Sequence, residues 1–206
     1  MESTHSKNLI VNIIIDNSIL VPELKADQKI KKMIDELASL SEPNLRVSIH
    51  VFDGLNSKVI KDFESKDVKD FEYNGFPLMN RILKEVLQHT SDYLSAKTEK
   101  EDFQIHRPWM IILSSGLGYD KVDFFETFEL AKKEWQPALF PFLLSNKYMT
   151  YDLSKINQIK PFMVIKDNQL NAFTKWIKEM MAERLKIPAN QGIKLDKRMF
   201  EGWIEL

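Results

Sequence analysis

A near-continuous run of branched apolar residues covers positions 8–20 and is interrupted by a polar turn. The segment reads NLIVNIIIDNSIL, and Asp16, Asn17 and Ser18 follow its apolar stretch. A run that is apolar on both faces is typical of a strand buried inside a parallel sheet. Open α/β sheets place their ligand chemistry at the carboxyl ends of such strands. The pattern therefore predicts an interior strand over about 9–15, with a candidate site where it ends.

Strand and helix patterns alternate along the rest of the chain. The apolar runs predict further parallel strands over about 45–52, 109–113, 138–144 and 162–165, and a short antiparallel edge strand near 59–63. Helical spacing of apolar residues predicts helices over about 22–41, 77–96, 122–135, 151–159 and 169–185. This alternation predicts an α/β fold of three layers, in which a doubly wound, mostly parallel sheet has one antiparallel edge strand.

The predicted strand over 45–52 differs from its neighbours because its apolar and polar residues alternate. Its sequence is LRVSIHVF, so that every second residue is apolar. Such alternation indicates a half-buried strand near a sheet edge. His50 falls on the polar face, and we expect it to be solvated.

Composition limits the classes of protein that the chain could represent. Its 206 residues, 44% of them hydrophobic, are enough for one well-buried domain. The net charge of −1 gives no reason to expect a nucleic-acid partner. The absence of cysteine excludes disulfides and thiolate chemistry. Because we find neither a signal peptide nor an apolar run of roughly 20 residues, we expect a cytoplasmic protein without membrane contact.

Five short segments, in order along the chain, carry a resemblance to a known family. They are Ile13–Ser18, Val47–Asp53, Asn74–Leu78, Leu113–Gly116 with Asp120 downstream, and Phe173–Ile177. They stand where the von Willebrand factor type A (vWA) domain, in its bacterial tellurite-resistance-associated (TerY-like) branch, has its characteristic turns and closing helix. The resemblance implies a Rossmann-like vWA domain over 9–185, preceded by an extension over 1–8 and followed by a tail over 186–206.

The family's metal-ion-dependent adhesion site takes oxygen ligands for Mg²⁺ from three loops. At the corresponding positions this chain has Asp16, Ser18, Leu20, Phe76 and Ser115. Two donors are thus replaced by hydrocarbon, and one carboxylate by a hydroxyl. A single remaining carboxylate cannot favourably replace the hydration of Mg²⁺, so the resemblance implies a lost, degenerate site with no bound metal and no cofactor. The alternative is residual binding, with Asn74, Asp120 or a backbone carbonyl as replacement donors.

Other motifs give little support for catalysis. Gly116-Leu117-Gly118 lacks the third glycine of a dinucleotide-binding loop and indicates a simple turn. The four histidines lie far apart in sequence, and no Ser-His-Asp arrangement can be nominated. We therefore assign no catalytic residue and expect that the protein is not an enzyme.

Aromatic residues outside the predicted core are candidates for partner binding. The tail carries Met199, Phe200, Trp203, Ile204 and Leu206, a composition that is unusual for a disordered segment. It either packs back on the domain or docks into another protein. The helix predicted over 122–135 carries further aromatic residues, which suit core packing and partner contact equally well. We assign Phe76, Phe200 and Trp203 as candidate partner-binding residues.

The resemblance implies a non-enzymatic protein–protein interaction module that acts as an adaptor in a bacterial stress-response system such as tellurium resistance. Its partner would be another protein, whose identity the sequence does not give. One alternative is a metal-dependent vWA binding module whose ligands have migrated to new positions. An enzyme that uses the crevice of a Rossmann-like sheet has the least support, since no nucleophile–base pair is apparent in the sequence.

Overall fold

The computed structural model describes residues 7–16, 27–52, 57–65, 67–69, 79–99, 104–114, 137–143, 163–164, 170–188 and 191. Within these residues the strands are β1 (Leu9–Asp16), β2 (Leu45–Phe52), β3 (Ser57–Lys61), β4 (Trp109–Ser114), β5 (Ala138–Leu143) and β6 (Met163–Val164). The helices are α1 (Asp27–Ala38), α2 (Met79–Thr98) and α3 (Leu170–Lys186). The helices predicted over 122–135 and 151–159 lie outside the described residues.

The strands form one sheet in the order β3-β2-β1-β4-β5-β6. All neighbouring strands are parallel except β2 and β3, which are antiparallel. The two runs that are apolar on both faces, β1 and β4, lie side by side in the interior of the sheet. This is the expected position for strands that must be covered on both faces. The predicted fold class, a mostly parallel sheet with one antiparallel edge strand, is confirmed.

One face of the sheet is covered by α1 and α3. Alternate residues of β1 and β2 point to this face, and they join a buried apolar cluster with both helices. At its centre, Phe142 on β5 meets Phe173 on α3 edge to face, with their ring centroids 4.7 Å apart. The two helices also meet at the surface, where Lys178 Nζ lies 3.5 Å from Glu36 Oε2. The cluster on this face is apolar, so its stability comes mainly from removing hydrocarbon from water.

The opposite face of the sheet is covered by α2. Ile14 of β1 and Ile112 of β4 are buried there, and so are Ile82, Leu83 and Val86 of the helix. The sheet therefore has helices on both sides, as the three-layer prediction requires. Polar residues also enter this interface, among them Asn12 and Ser48.

The prediction that His50 is solvated is wrong. Its side chain is 1% exposed, and Ser48 on the same face of β2 has no exposed surface. The alternating pattern predicts one solvated face, but α2 covers that face and contributes a polar side chain, Thr90, to it. β2 also has a neighbour on each side, because β3 separates it from the edge of the sheet.

The edge strand β3 lies slightly earlier than predicted, over 57–61 instead of 59–63. Its register with β2 shifts between Ile49 and His50, which marks a β-bulge. Lys61 is the last residue of the strand, and its buried side chain donates from Nζ to the Val47 carbonyl at 2.9 Å. The lysine side chain thus satisfies a backbone carbonyl of β2 for which β3 provides no backbone donor.

Among the residues that the structure describes, no helix is long and apolar enough to cross a membrane.

Candidate functional site

The site predicted from the sequence lies at the carboxyl edge of the parallel strands. Asp16 is the last residue of β1, where its backbone pairs with Phe52 at the end of β2. On the other side of β1, Leu113 of β4 pairs with Ile15, and β4 ends at Ser114, one residue before Ser115. The end of β1 therefore lies between the ends of two parallel neighbours, where the loops of an open α/β sheet form ligand sites.

The other predicted site residues lie outside the described part of the chain. They are Ser18, Leu20, Phe76, Ser115, Phe200 and Trp203, and the replacement donors Asn74 and Asp120 lie outside it as well. The assignments for these positions stay predictions. Within the described ranges, no group of three or more His, Cys, Asp or Glu side chains is arranged to hold a metal ion.

A buried polar cluster that the sequence did not predict lies between the sheet and α2. Asn12 in the middle of β1 accepts at Oδ1 from Ser48 Oγ at 2.8 Å and from Thr90 Oγ1 at 3.1 Å. Ser48 Oγ in turn lies 2.9 Å from His50 Nε2. All four side chains are at most 1% exposed. Because Ser48 donates its single proton to Asn12, the neutral His50 ring donates from Nε2 to Ser48 Oγ.

A second layer of rings surrounds this cluster on the outside. His50 meets the ring of His89 on α2 edge to face, with centroids 5.1 Å apart. His89 stacks on Phe63 at 5.0 Å and approaches Asp62 Oδ1 from Nε2 at 3.2 Å. His89 Nδ1 is buried and makes no hydrogen bond within the described residues. The two imidazoles thus link β2, the segment after β3 and α2.

Charged side chains form the outermost part of this interface. Glu64 Oε1 accepts from Tyr93 Oη at 2.7 Å and lies 3.1 Å from Lys97 Nζ and 3.5 Å from Arg46 Nε. The hydrogen bond from Tyr93, followed by the bond to Lys97, lowers the pKa of Glu64. Partial burial and the same bond raise the pKa of Tyr93. These partly exposed groups add ionic contacts between α2 and the segment after β3.

The contact between Ser48 and His50 resembles a nucleophile–base pair but is placed where no substrate can reach it. Ser48 has no exposed surface, and α2 covers the ring of His50. Burial, and secondarily the nearby His89, lowers the pKa of His50 to about 3. An imidazole with this pKa is a poor general base at neutral pH. The pair therefore contributes to packing.

A second buried histidine lies near the opposite, amino-terminal edge of the sheet. His106 is 3% exposed, and its backbone N–H donates to the Asn8 carbonyl at 2.8 Å. Burial, followed by the charges of Arg184 and Lys7, lowers its pKa to about 4. Arg184, also buried, donates from Nη1 to the carbonyls of Pro188 at 3.2 Å and Gln191 at 2.9 Å. This guanidinium holds the chain where it leaves α3.

No protein-family model matches the chain, and no curated protein matches it by sequence. Solved structures do share its architecture. A manganese-loaded TRAP protein from Plasmodium vivax superposes with a TM-score of 0.60 at 15% identity, over 80% of this chain and 70% of that one. Proximal thread matrix protein 1 from the mussel byssus gives 0.65 at 12% identity, over 85% and 49%. The ArnB paralog VWA2 from Sulfolobus acidocaldarius gives 0.57 at 16% identity, over 82% and 45%.

The chain has the von Willebrand factor type A fold. The likeness covers most of this chain, whereas the chain spans about half the length of the mussel and archaeal proteins. Identities of 12–16% establish the vWA fold and leave activity and ligands to be argued from the residues present.

Proposed function

We propose that the chain is a non-enzymatic protein–protein interaction module of vWA type, which binds its partner without a divalent cation. The observation that carries this proposal is the position of Asp16 at the carboxyl edge of the sheet, between the ends of β2 and β4, in a chain with the vWA fold. The resemblance aligns five ligand positions with this edge, and Asp16 is their one carboxylate. Magnesium requires several hard oxygen donors in near-octahedral geometry. The donor set therefore does not fit the metal.

A binding face that lacks a metal must take its affinity from other contacts. Interfaces of that kind concentrate their energy in a few aromatic, Met or Arg residues. The proposed anchors are Phe76, which precedes α2 in the sequence, and Phe200 and Trp203 in the tail. The partner is another protein, and neither nucleic acid nor membrane is proposed as a ligand. Resemblance to the TerY-like branch supports a role as an adaptor in a bacterial stress-response system.

The proposal includes the absence of catalysis. One observation on the described residues supports this part. The contact between Ser48 and His50, which has the chemistry of a nucleophile and a base, is buried under α2. A reacting carbonyl would need to lie about 3 Å from the nucleophile. Packing of α2 on the sheet leaves no access for such a group.

The test begins with capture of the partner from the source organism and reconstitution of the pair from purified components. Binding is then measured with and without EDTA for the full chain, for Phe76→Ala and for Lys175→Ala, an exposed site on α3. We expect the same affinity with and without EDTA, a loss of at least about tenfold for Phe76→Ala, and no change for Lys175→Ala. Release of the partner by EDTA would contradict the metal-independent proposal.

A metal-dependent vWA module with migrated ligands is the second candidate. Two structural neighbours favour it, since the Plasmodium protein is manganese-loaded and the mussel protein has a zinc-occupied MIDAS motif. A cation that binds only the folded state raises the melting temperature. Melts with Mg²⁺, Mn²⁺, Ca²⁺ and Zn²⁺, repeated on Asp16→Ala, separate the two candidates. A shift that disappears in Asp16→Ala supports the second candidate, and no shift supports the first.

A further inference from the structure

The two faces of the sheet are packed by different chemistry. The interface with α1 and α3 is an apolar cluster. The interface with α2 combines apolar residues with the buried hydrogen bonds of Asn12, Ser48 and Thr90 and with the rings of His50 and His89. Polar groups of this kind stabilise an interface only while they are satisfied, and Asn12 Nδ2 already makes no hydrogen bond within the described residues. Protonation of His50 can therefore weaken the attachment of α2.

The His50 imidazole has no favourable position for a second proton. The neutral His50 ring donates from Nε2 to Ser48, so the added proton would go to Nδ1 of a ring that is 1% exposed. His89 uses Nε2 towards Asp62, and its buried Nδ1 makes no hydrogen bond within the described residues. Two imidazolium rings at a centroid distance of 5.1 Å would also repel each other.

The charged groups around the two rings do not neutralise a cation on His50. Those on the elements packed against them are Arg46 on β2, Lys61 on β3, Asp62 and Glu64 after β3, and His89, Tyr93 and Lys97 on α2. Asp62 lies against His89, and Glu64 contacts Tyr93, Lys97 and Arg46. The side chain that β1 contributes to the cluster is the amide of Asn12, which is neutral.

We propose that the buried imidazole of His50, which packs against His89, makes the attachment of α2 sensitive to acid. Protonation of His50 favours a state in which α2 has separated from β2, while α1 and α3 remain packed on the other face. In that state the His50 ring is solvated and can carry its charge. The inference does not depend on where the partner binds, because the buried cluster alone carries it.

The size of the effect follows from linkage between protonation and packing. The pKa of His50 is lowered to about 3 by burial and by His89, so the ring favours the packed state most strongly above the pKa of a solvated imidazole. This stabilisation is complete above about pH 6.5 and is lost as the pH falls towards 3. Between pH 8 and pH 5 the equilibrium constant for separation of α2 should rise about 30-fold.

Hydrogen exchange of the full chain at pH 8 and pH 5, corrected for the intrinsic exchange rates, tests this proposal. We expect the opening constant of α2 peptides to rise about 30-fold at pH 5 and to exceed those of α1 and α3 peptides. In His50→Gln, whose amide can still donate to Ser48, the opening constant of α2 should become independent of pH within about threefold. The matched control is His106→Gln, which removes the other buried histidine and should keep the 30-fold change in α2.

Three results would overturn the proposal. If the opening constant of α2 changes by less than about threefold between the two pH values, the proposed pH effect is absent. Equal opening constants for α1, α2 and α3 at pH 5 identify global unfolding, and this comparison needs only the unsubstituted chain. Retention of the pH dependence in His50→Gln assigns the effect to another group.

Discussion

Thr90 Oγ1 on α2 lies 3.1 Å from Asn12 Oδ1 on β1, and neither side chain has any exposed surface. Ser48 Oγ on β2 reaches the same oxygen at 2.8 Å. A single amide in the middle of an apolar strand thus connects two strands and a helix. Thr90 Oγ1 also lies 2.7 Å from the Val86 carbonyl, so that its one proton is shared between two acceptors.

Replacement of Thr90 by valine should destabilise the fold. Valine has nearly the same shape, but Asn12 Oδ1 then keeps Ser48 as its one donor in a buried site. We expect the free energy of unfolding, measured in urea, to fall by about 1–2 kcal/mol. Thr98→Val is the matched control, because Thr98 makes the same kind of bond to a carbonyl four residues earlier but is exposed. It should change stability by less than about 0.5 kcal/mol, and an equal loss in both variants would refute a special role for the buried bond.

His106 should make the stability of the whole domain depend on pH. Its pKa is lowered to about 4 by burial and by Arg184, so its stabilising contribution is complete above about pH 6.5 and is lost as the pH falls towards 4. His106→Gln should remove about 1–2 kcal/mol of the loss of stability between pH 7 and pH 5. Urea denaturation at the two pH values measures this difference, and an unchanged loss in the variant would contradict the assignment.

The packing of α3 depends on Phe173, which is fully buried and meets both Phe142 and Trp176. Phe173→Ala removes a ring from this apolar layer and leaves a cavity, so we expect a loss of about 3–5 kcal/mol. Lys175→Ala, two residues further along the same helix, removes an exposed side chain and should cost less than about 0.5 kcal/mol. Thermal and urea denaturation check both values, and a loss below about 1 kcal/mol for Phe173→Ala would show that the layer collapses without a cavity.

Truncation of the tail should act through Arg184. A chain that ends after Lys186 loses the carbonyls of Pro188 and Gln191, which leaves a buried guanidinium without two of its acceptors. We expect a loss of about 2 kcal/mol in the free energy of unfolding. A chain that ends after Gly192 keeps both carbonyls and serves as the control. If both truncations lower the free energy of unfolding equally, the stabilising contacts come from residues after Gly192 and the role of Arg184 is refuted.

The sheet was predictable because the sequences of its central strands indicate that both of their faces are buried. β1 and β4 are apolar on both faces, which leaves the interior of a parallel sheet as their position. The burial of His50 was missed because alternation in β2 is equally compatible with a solvated face and with a polar interface. One signal was present: Asn12 interrupts an otherwise apolar run, and a buried amide requires polar partners on the neighbouring elements. The site loops could be aligned only through resemblance, since their side chains follow no periodic pattern.

The order of the strands has a consequence for synthesis of the protein on the ribosome. β1 finds its first partner, β2, soon after it, but its second partner, β4, begins at Trp109 and is made about 100 residues later. At a translation rate of about 5–20 residues per second, one edge of this apolar strand stays unpaired for about 5–20 seconds. An open edge of that kind invites pairing with other chains. The nascent chain should therefore depend on chaperones most strongly after β2 has emerged and before β4 has.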